Sequence, residues 1–208
     1  TYTGTGSAGT IGHGLGNAPK MIIFKSRGNA DAWSVYNIDI GSANNLTLNN
    51  TDGTTSNATM FNSTDATSSV FSVGTHNRTN RSGGTFVAYC FADIEGYSKF
   101  GSYTGNGNAD GTFVYTGFRP AFVLVKNTST SGTAWNMLDS TRNTFNPEKS
   151  YINANESNAE ANFNIYDFLS NGFKAVNGGS TFNNSGSTHI YMAFAENPFV
   201  TSSGVPVT

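Results

Sequence analysis

Charge is what this chain has least of. Lys, Arg, Asp and Glu make up 12% of its 208 residues, against about a quarter in an average soluble protein. The formal net charge is −2, and no run of Lys or Arg could neutralise several phosphates at once, which argues against a nucleic-acid partner. Cysteine is almost missing. The lone Cys90 cannot form an internal disulfide, and the redox compartment stays open because disulfide-free proteins occur inside and outside cells. Its setting, Phe86-Val87-Ala88-Tyr89-Cys90-Phe91-Ala92, reads as that of a small buried thiol. No apolar stretch approaches the ~18 residues of a membrane span. The first residues also lack the basic and apolar regions of a signal peptide. The expectation is a soluble chain without membrane insertion, and Thr1 reads as a trimmed or processed start.

Against these shortages stand 24 Gly, 16 Phe and 9 Tyr. The aromatic content is ample for a core, so the polar composition is not that of a disordered tail. Solubility falls to Asn, Ser and Thr.

The chain repeats itself. Tyr2-Thr3-Gly4 matches Tyr103-Thr104-Gly105, and Pro19-Lys20-Met21-Ile22-Ile23-Phe24-Lys25 matches Pro120-Ala121-Phe122-Val123-Leu124-Val125-Lys126, both at an offset of 101. Ala32-Trp33 matches Ala134-Trp135, and Phe71 matches Phe173, at 102. Ser82-Gly83-Gly84-Thr85-Phe86-Val87 aligns with Ser185-Gly186-Ser187-Thr188-His189-Ile190, and Phe91-Ala92-Asp93 with Phe194-Ala195-Glu196, at 103. The expected organisation is two copies of one module, at 1–100 and 101–208. Their junction, Tyr97 to Ser102, is too short and too aromatic for a flexible linker.

Within each copy, apolar runs rich in Val, Ile, Phe and Tyr alternate with Gly, Asn, Ser and Asp, which is the spacing of strands and turns. Met21 to Lys25, Trp33 to Asn37, Leu46 to Asn49, Val70 to Val73 and Phe86 to Ala92 are the strands expected in copy one. Ala121 to Val125 and Ile190 to Ala195 are apolar at consecutive positions and need cover on both faces. The best helical stretch, Ser157 to Leu169, is interrupted by Asn158, Asn162 and Asn164 and predicts a turn or two at most. The fold expected is all-β: two tandem jelly-roll-like antiparallel β-sandwich modules related by internal duplication. Trp33 and Trp135 are expected as equivalent buried anchors. Strands in need of cover also favour a homo-oligomer, with a trimer preferred.

Chemistry is hard to find. His13 sits in a turn, His76 in a polar loop and His189 on an apolar strand, none with a second ligand at metal spacing. No Gly-x-Ser-x-Gly elbow is present for nucleophilic catalysis. Asp93, Glu95, Asp139, Asp167 and Glu196 lie near strand ends and could serve glycoside hydrolysis. Asp93 and Glu196, however, hold matched places in the two copies, where a shared structural bond to the matched Lys25 and Lys126 is the better reading. Asn106-Gly107-Asn108-Ala109-Asp110-Gly111 echoes a calcium loop, but position twelve is Gly117 rather than Glu. A tight hairpin loop is preferred there. Sequons at Asn45, Asn57, Asn62 and Asn77 arise by chance in so Asn- and Thr-rich a chain. No catalytic residue, metal ligand or cofactor is assigned.

The stretch Glu95-Gly96-Tyr97-Ser98-Lys99-Phe100-Gly101-Ser102-Tyr103-Thr104-Gly105-Asn106-Gly107 continues into Thr116-Gly117-Phe118-Arg119-Pro120-Ala121-Phe122-Val123. Together with the ending Tyr191-Met192-Ala193-Phe194-Ala195-Glu196-Asn197-Pro198-Phe199 and the segment Gly14-Leu15-Gly16-Asn17-Ala18-Pro19, it resembles an uncharacterised repeated domain of tail and virion proteins of marine tailed bacteriophages. The resemblance covers nearly the whole chain and brings no active-site residues. It implies a place on the virion surface: a tail fibre or tail-associated module that meets other virion proteins and presents loops to a host receptor or cell-surface glycan. Two alternatives follow from the same setting. One is a capsid decoration or fibre-spacer protein that binds only virion partners; the other is a polysaccharide-degrading tail enzyme.

Overall fold

A computed structural model describes residues 1–199. The chain divides into two compact units, Thr1–Ala92 and a second that begins at Asp93. The break therefore precedes the expected boundary at 100/101, because Ser98–Thr104 is a strand that pairs along its whole length with Thr188–Ala195. The last part of the expected second module, 200–208, lies outside the described residues.

Unit 1 contains β1 (Tyr2–Thr3), β2 (Gly9–Gly12), β3 (Met21–Ser26), β4 (Ser34–Asn37), β5 (Asn44–Thr47), β6 (Thr55–Ser56), β7 (Val70–Val73) and β8 (Thr85–Phe91). Six strands form one sheet in the order β1-β8-β3-β4-β5-β6, and β2 pairs with β7 apart from it. β3 is central, paired to β4 on one side and β8 on the other. Ile22 and Phe24 face a core with Tyr36, Met60, Phe61, Phe71 and Val73. Phe61 packs edge-on to Tyr36 with centroids 5.4 Å apart and stacks on Phe24 at the same distance.

Unit 2 contains β9 (Ser98–Thr104), β10 (Phe113–Tyr115), β11 (Pro120–Asn127), β12 (Asn136–Asp139), β13 (Glu148–Asn153), β14 (Ala161–Leu169), β15 (Gly172–Ala175) and β16 (Thr188–Ala195). All eight join one antiparallel sheet, β10-β15-β14-β13-β12-β11-β16-β9. It curls around a single core that draws residues from almost every strand, among them Tyr103, Val114, Val123, Leu138, Tyr166, Phe173 and Tyr191. The all-β, antiparallel expectation stands. The connectivity differs from a jelly roll: β11 to β15 pair in chain order, as a meander that bends toward a barrel.

Several sequence expectations change here. Ser157 to Leu169 yields no helical turn; its second half is β14, paired to β13 and β15, since Asn-rich sequence resists helix and the two neighbouring strands offer a full ladder. Trp135 is 1% exposed, but Trp33 is half-buried, stacked on the exposed Tyr89 with centroids 6.5 Å apart and with Lys25 Nζ 5.9 Å from its ring. Each indole sits one residue ahead of its strand, not on it. Cys90 is half-buried, and burial pushes its thiol up to about 11. In the apolar runs of β11 and β16, Val123 and Ala193 are 0% exposed in the core and Leu124 and Met192, on the other face, 6% exposed, while Ala121, Phe122 and Phe194 are only partly buried.

Matched hydrogen bonds recur in the two units. Asn80 Oδ1 accepts from the Thr5 N–H at 2.8 Å, and Asn183 Oδ1 from the Asn106 N–H at 3.0 Å. Asn80 Nδ2 donates to the carbonyls of Ser7 and Gly74, and Asn183 Nδ2 to those of Asn108 and Asn177. The Trp33 N–H donates to Asn49 Oδ1 at 2.8 Å, and the Trp135 N–H to Asn155 Oδ1 at 2.7 Å. A Cβ at Gly4 would run into the backbone of Asn80 and Arg81, and one at Gly105 into that of Asn183 and Asn184, so both closures demand glycine.

Candidate binding cleft

The eight-stranded sheet stops short of closing, and its two end strands, β9 and β10, follow each other in the chain. At one end they are tied, with Thr112 Oγ1 donating to the Thr104 carbonyl at 2.8 Å. At the other they part around a cavity of about 370 Å³ lined by Asp93, Glu95, Ser98, Lys99, Tyr115, Thr116 and neighbouring backbone. β10 alternates, with Val114 buried in the core while Phe113 and Tyr115 are 43% and 65% exposed, because a three-residue edge strand has only one sheet neighbour to cover it.

The cleft walls are held in place. Asp93 pairs with Lys99 Nζ at 2.6 Å and accepts the Phe100 N–H at 2.8 Å. Ile94 and Ser98 exchange backbone bonds at 3.1 and 2.9 Å, closing the turn that carries Glu95 and Gly96. Glu95 is exposed. Thr116 Oγ1 donates to the Phe118 carbonyl at 2.6 Å, and the Thr116 and Gly117 N–H groups both donate to the Asn171 carbonyl. Tyr115 is exposed at this frame, with Gly117 beside its phenol end: a Cβ at Gly117 would meet the phenol oxygen at contact distance, 3.7 Å.

At the same end of the sheet the remaining carboxylates gather around one that sequence reasoning passed over. Glu148 opens β13 fully buried, and neither carboxylate oxygen has a hydrogen-bond partner. Burial pushes it up to about 7; Arg119 pulls it down, and Asp139, Asp167 and Glu196 push it further up. Arg119 holds Glu196 at 2.8 Å and donates to the Phe168 carbonyl. Arg142 bridges Asp139 at 2.6 Å and Glu160 at 2.8 Å. A protonated carboxyl near neutral pH is the form a general acid needs, but Glu148 has no surface with which to touch a substrate in this conformation. Its only sequence signal is an acid placed at the head of a strand directly after Pro147. Tyr115 was missed for another reason, since an exposed aromatic on an edge strand reads like any core residue.

The expected partners of Asp93 and Glu196 are corrected. They pair with Lys99 and Arg119, whereas Lys25 reaches the Asp31 carbonyl and the fully buried Lys126 reaches the Thr133 carbonyl and hydroxyl. Each lysine serves the loop that follows its own strand. The histidines are scattered. His13 bridges the Thr67 carbonyl and the Leu15 N–H, and His76 caps the short helix Asn77–Asn80. His189 is fully buried and stacked on Tyr103 with centroids 4.9 Å apart, and burial lowers it to about 4. Among the described residues no three His, Cys, Asp or Glu side chains converge as a metal site. In the Asn106–Gly111 loop, Asn106 Nδ2 donates to the Asp110 carbonyl at 3.0 Å, Asn106 Oδ1 accepts from Asn183, and Asp110 is ion-paired to Lys174. These are the bonds of a tight turn. Asn45, one of the sequons, is buried in β5.

Comparison with known proteins returns one family: residues 1–198 match the Domain of unknown function (DUF7483). No curated protein and no solved structure matches the chain.

Proposed function

The chain belongs to the DUF7483 family, and from that premise we propose that it is a non-enzymatic attachment module of a bacteriophage virion surface, with the β9–β10 cleft as its contact site. The cleft carries the reading. It is a cavity of ligand size at an open sheet edge, lined by an exposed tyrosine and a fixed Asp93–Lys99 pair, and such concave sites with a few ordered polar groups are where binding concentrates. The virion setting rests on the resemblance of the Glu95 to Gly107 and Tyr191 to Phe199 stretches. The non-enzymatic half is supported by the engagement of Asp93, Asp139 and Glu196 in ion pairs and by the burial of Glu148.

We also infer that the two units descend from one duplicated module. The Asn80 and Asn183 bonds support this, since two unrelated sheets have no physical reason to close the same loops with the same side chain. The attachment reading is tested by immunogold labelling of phage particles that carry the gene. Label on tail or fibre is the expected result. Label confined to the head would overturn it in favour of a decoration protein.

A further inference from the structure

We infer that the cleft between β9 and β10 takes a neutral sugar ring; this rests on the attachment reading above and names the ligand class of the same site. Its volume of about 370 Å³ lies in the range of small-ligand pockets, roughly 300–1,000 Å³, and is enough for one or two pyranose rings. Tyr115 offers a ring that is 65% exposed, with the side-chain-free Gly117 next to its phenol end. Such a surface is covered best by an apolar face. The rest of the lining asks for something else: Asp93 is oriented by Lys99 and the Phe100 N–H, Glu95 stands exposed, and the buried Thr116 and Ser98 complete the lining. Carboxylates make their strongest neutral contacts with O–H donors. A molecule that presents a C–H face to an aromatic ring and several hydroxyl donors alongside is a sugar. Charge then narrows the class. Asp93 and Lys99 cancel, Glu95 leaves the cleft negative, and like charge disfavours uronic, sialic and phosphorylated sugars.

The test uses the whole chain, with methyl hexopyranosides and neutral oligosaccharides set against sialyllactose and oligogalacturonate, read by saturation-transfer NMR and calorimetry. Saturable binding of at least one neutral sugar is expected, with acidic sugars at least about tenfold weaker, which corresponds to about 1.4 kcal/mol. Tyr115→Ala should weaken it about tenfold or more and Glu95→Gln about threefold, while Tyr89→Ala, an exposed tyrosine of unit 1, should leave it unchanged. Absence of saturable neutral-sugar binding, preference for the acidic sugars, or indifference to Tyr115→Ala overturns the inference. Adsorption of the labelled chain to host bacteria separates the two claims. Adsorption lost in Tyr115→Ala without any sugar binding overturns the sugar class and leaves attachment standing. Sugar binding with adsorption indifferent to Tyr115→Ala supports the sugar site and overturns attachment through it.

Discussion

Unit 1 and unit 2 close the same loops with the same asparagines, yet one sheet is interrupted and the other runs on through eight strands. The difference lies between the tryptophan loop and the strand of Phe71 or Phe173. In unit 2 this stretch forms β13 and β14, which link β12 to β15. In unit 1 it forms β5 beside β4, but then only the two-residue β6 before it turns, with Asn62 and Ser63 at φ 55 and 45, so β7 keeps only β2 as its partner. Phe61 drops from that turn into the core, in the role that Ile165 and Tyr166 of β14 fill in unit 2. A core can be filled by a turn or by a strand, but only the strand carries a hydrogen-bonded ladder onward. The continuous sheet is also the one whose ends part into a cleft and whose strand ends gather carboxylates around Glu148.

The largest expected contrast is at the tryptophans. Trp135→Ala should cost about 3–5 kcal/mol, the range for large buried aromatics, and Trp33→Ala about 1–2 because its indole is only partly buried, against Tyr89 and Lys25. Equal losses in urea unfolding would show that the two anchors are interchangeable after all.

Next comes Glu148, which has no acid of this kind in unit 1. Its folded value of about 7 exceeds the ordinary 4.5, so between these pH values the folded state holds a proton that the unfolded state has released. Stability should fall as pH rises through that window and stay low above it. Solvent screening near the sheet end reduces the effect to about 2 kcal/mol. Glu148→Gln should match the parent below pH 4.5 and exceed it by that amount at pH 8. Identical unfolding curves at pH 8 would remove the buried-acid assignment.

His189 stacks on Tyr103 where Phe86 stacks on Tyr2, and its value is lowered to about 4 from 6.5. Between those limits the unfolded state binds the proton, so this group makes stability rise with pH, opposing Glu148 over most of its range. His189→Phe, which copies unit 1, should recover about 1.5 kcal/mol at pH 5 and uncover the falling slope of Glu148. A His189→Phe chain that still gains stability from pH 5 to 6.5 would contradict this.

The smallest effect is at Ser63. A left-handed serine is strained, and Ser63→Gly should raise unit 1 stability by about 0.5–1 kcal/mol. Thermal unfolding would register this as a small upward shift, whereas a loss would mean that the turn tolerates serine without strain.

Much of this was legible in the chain. The drifting offset paired Tyr2 with Tyr103, Gly4 with Gly105 and Phe86 with His189, and these positions carry matching contacts. The same offset pairs Asn80 with Asn183, although asparagine in so Asn-rich a sequence draws no notice. The carboxylates at strand ends were visible as a set, but not that three of them surround a fourth.

What the sequence determined by itself is strand character, turn positions and the correspondence of the two halves, because alternation, glycine and β-branched or aromatic runs act over a few residues. Only the tertiary structure decided which strands pair, whether the Asn-rich segment before Phe173 joins the ladder as β14, that Trp33 is partly buried while Trp135 is fully buried, and that β9 and β10 part around a cleft. These are choices among long-range partners. The local signal at Ala161 to Leu169 is weak either way, and the gain from two flanking strands, available only once the sheet has assembled, makes it a strand.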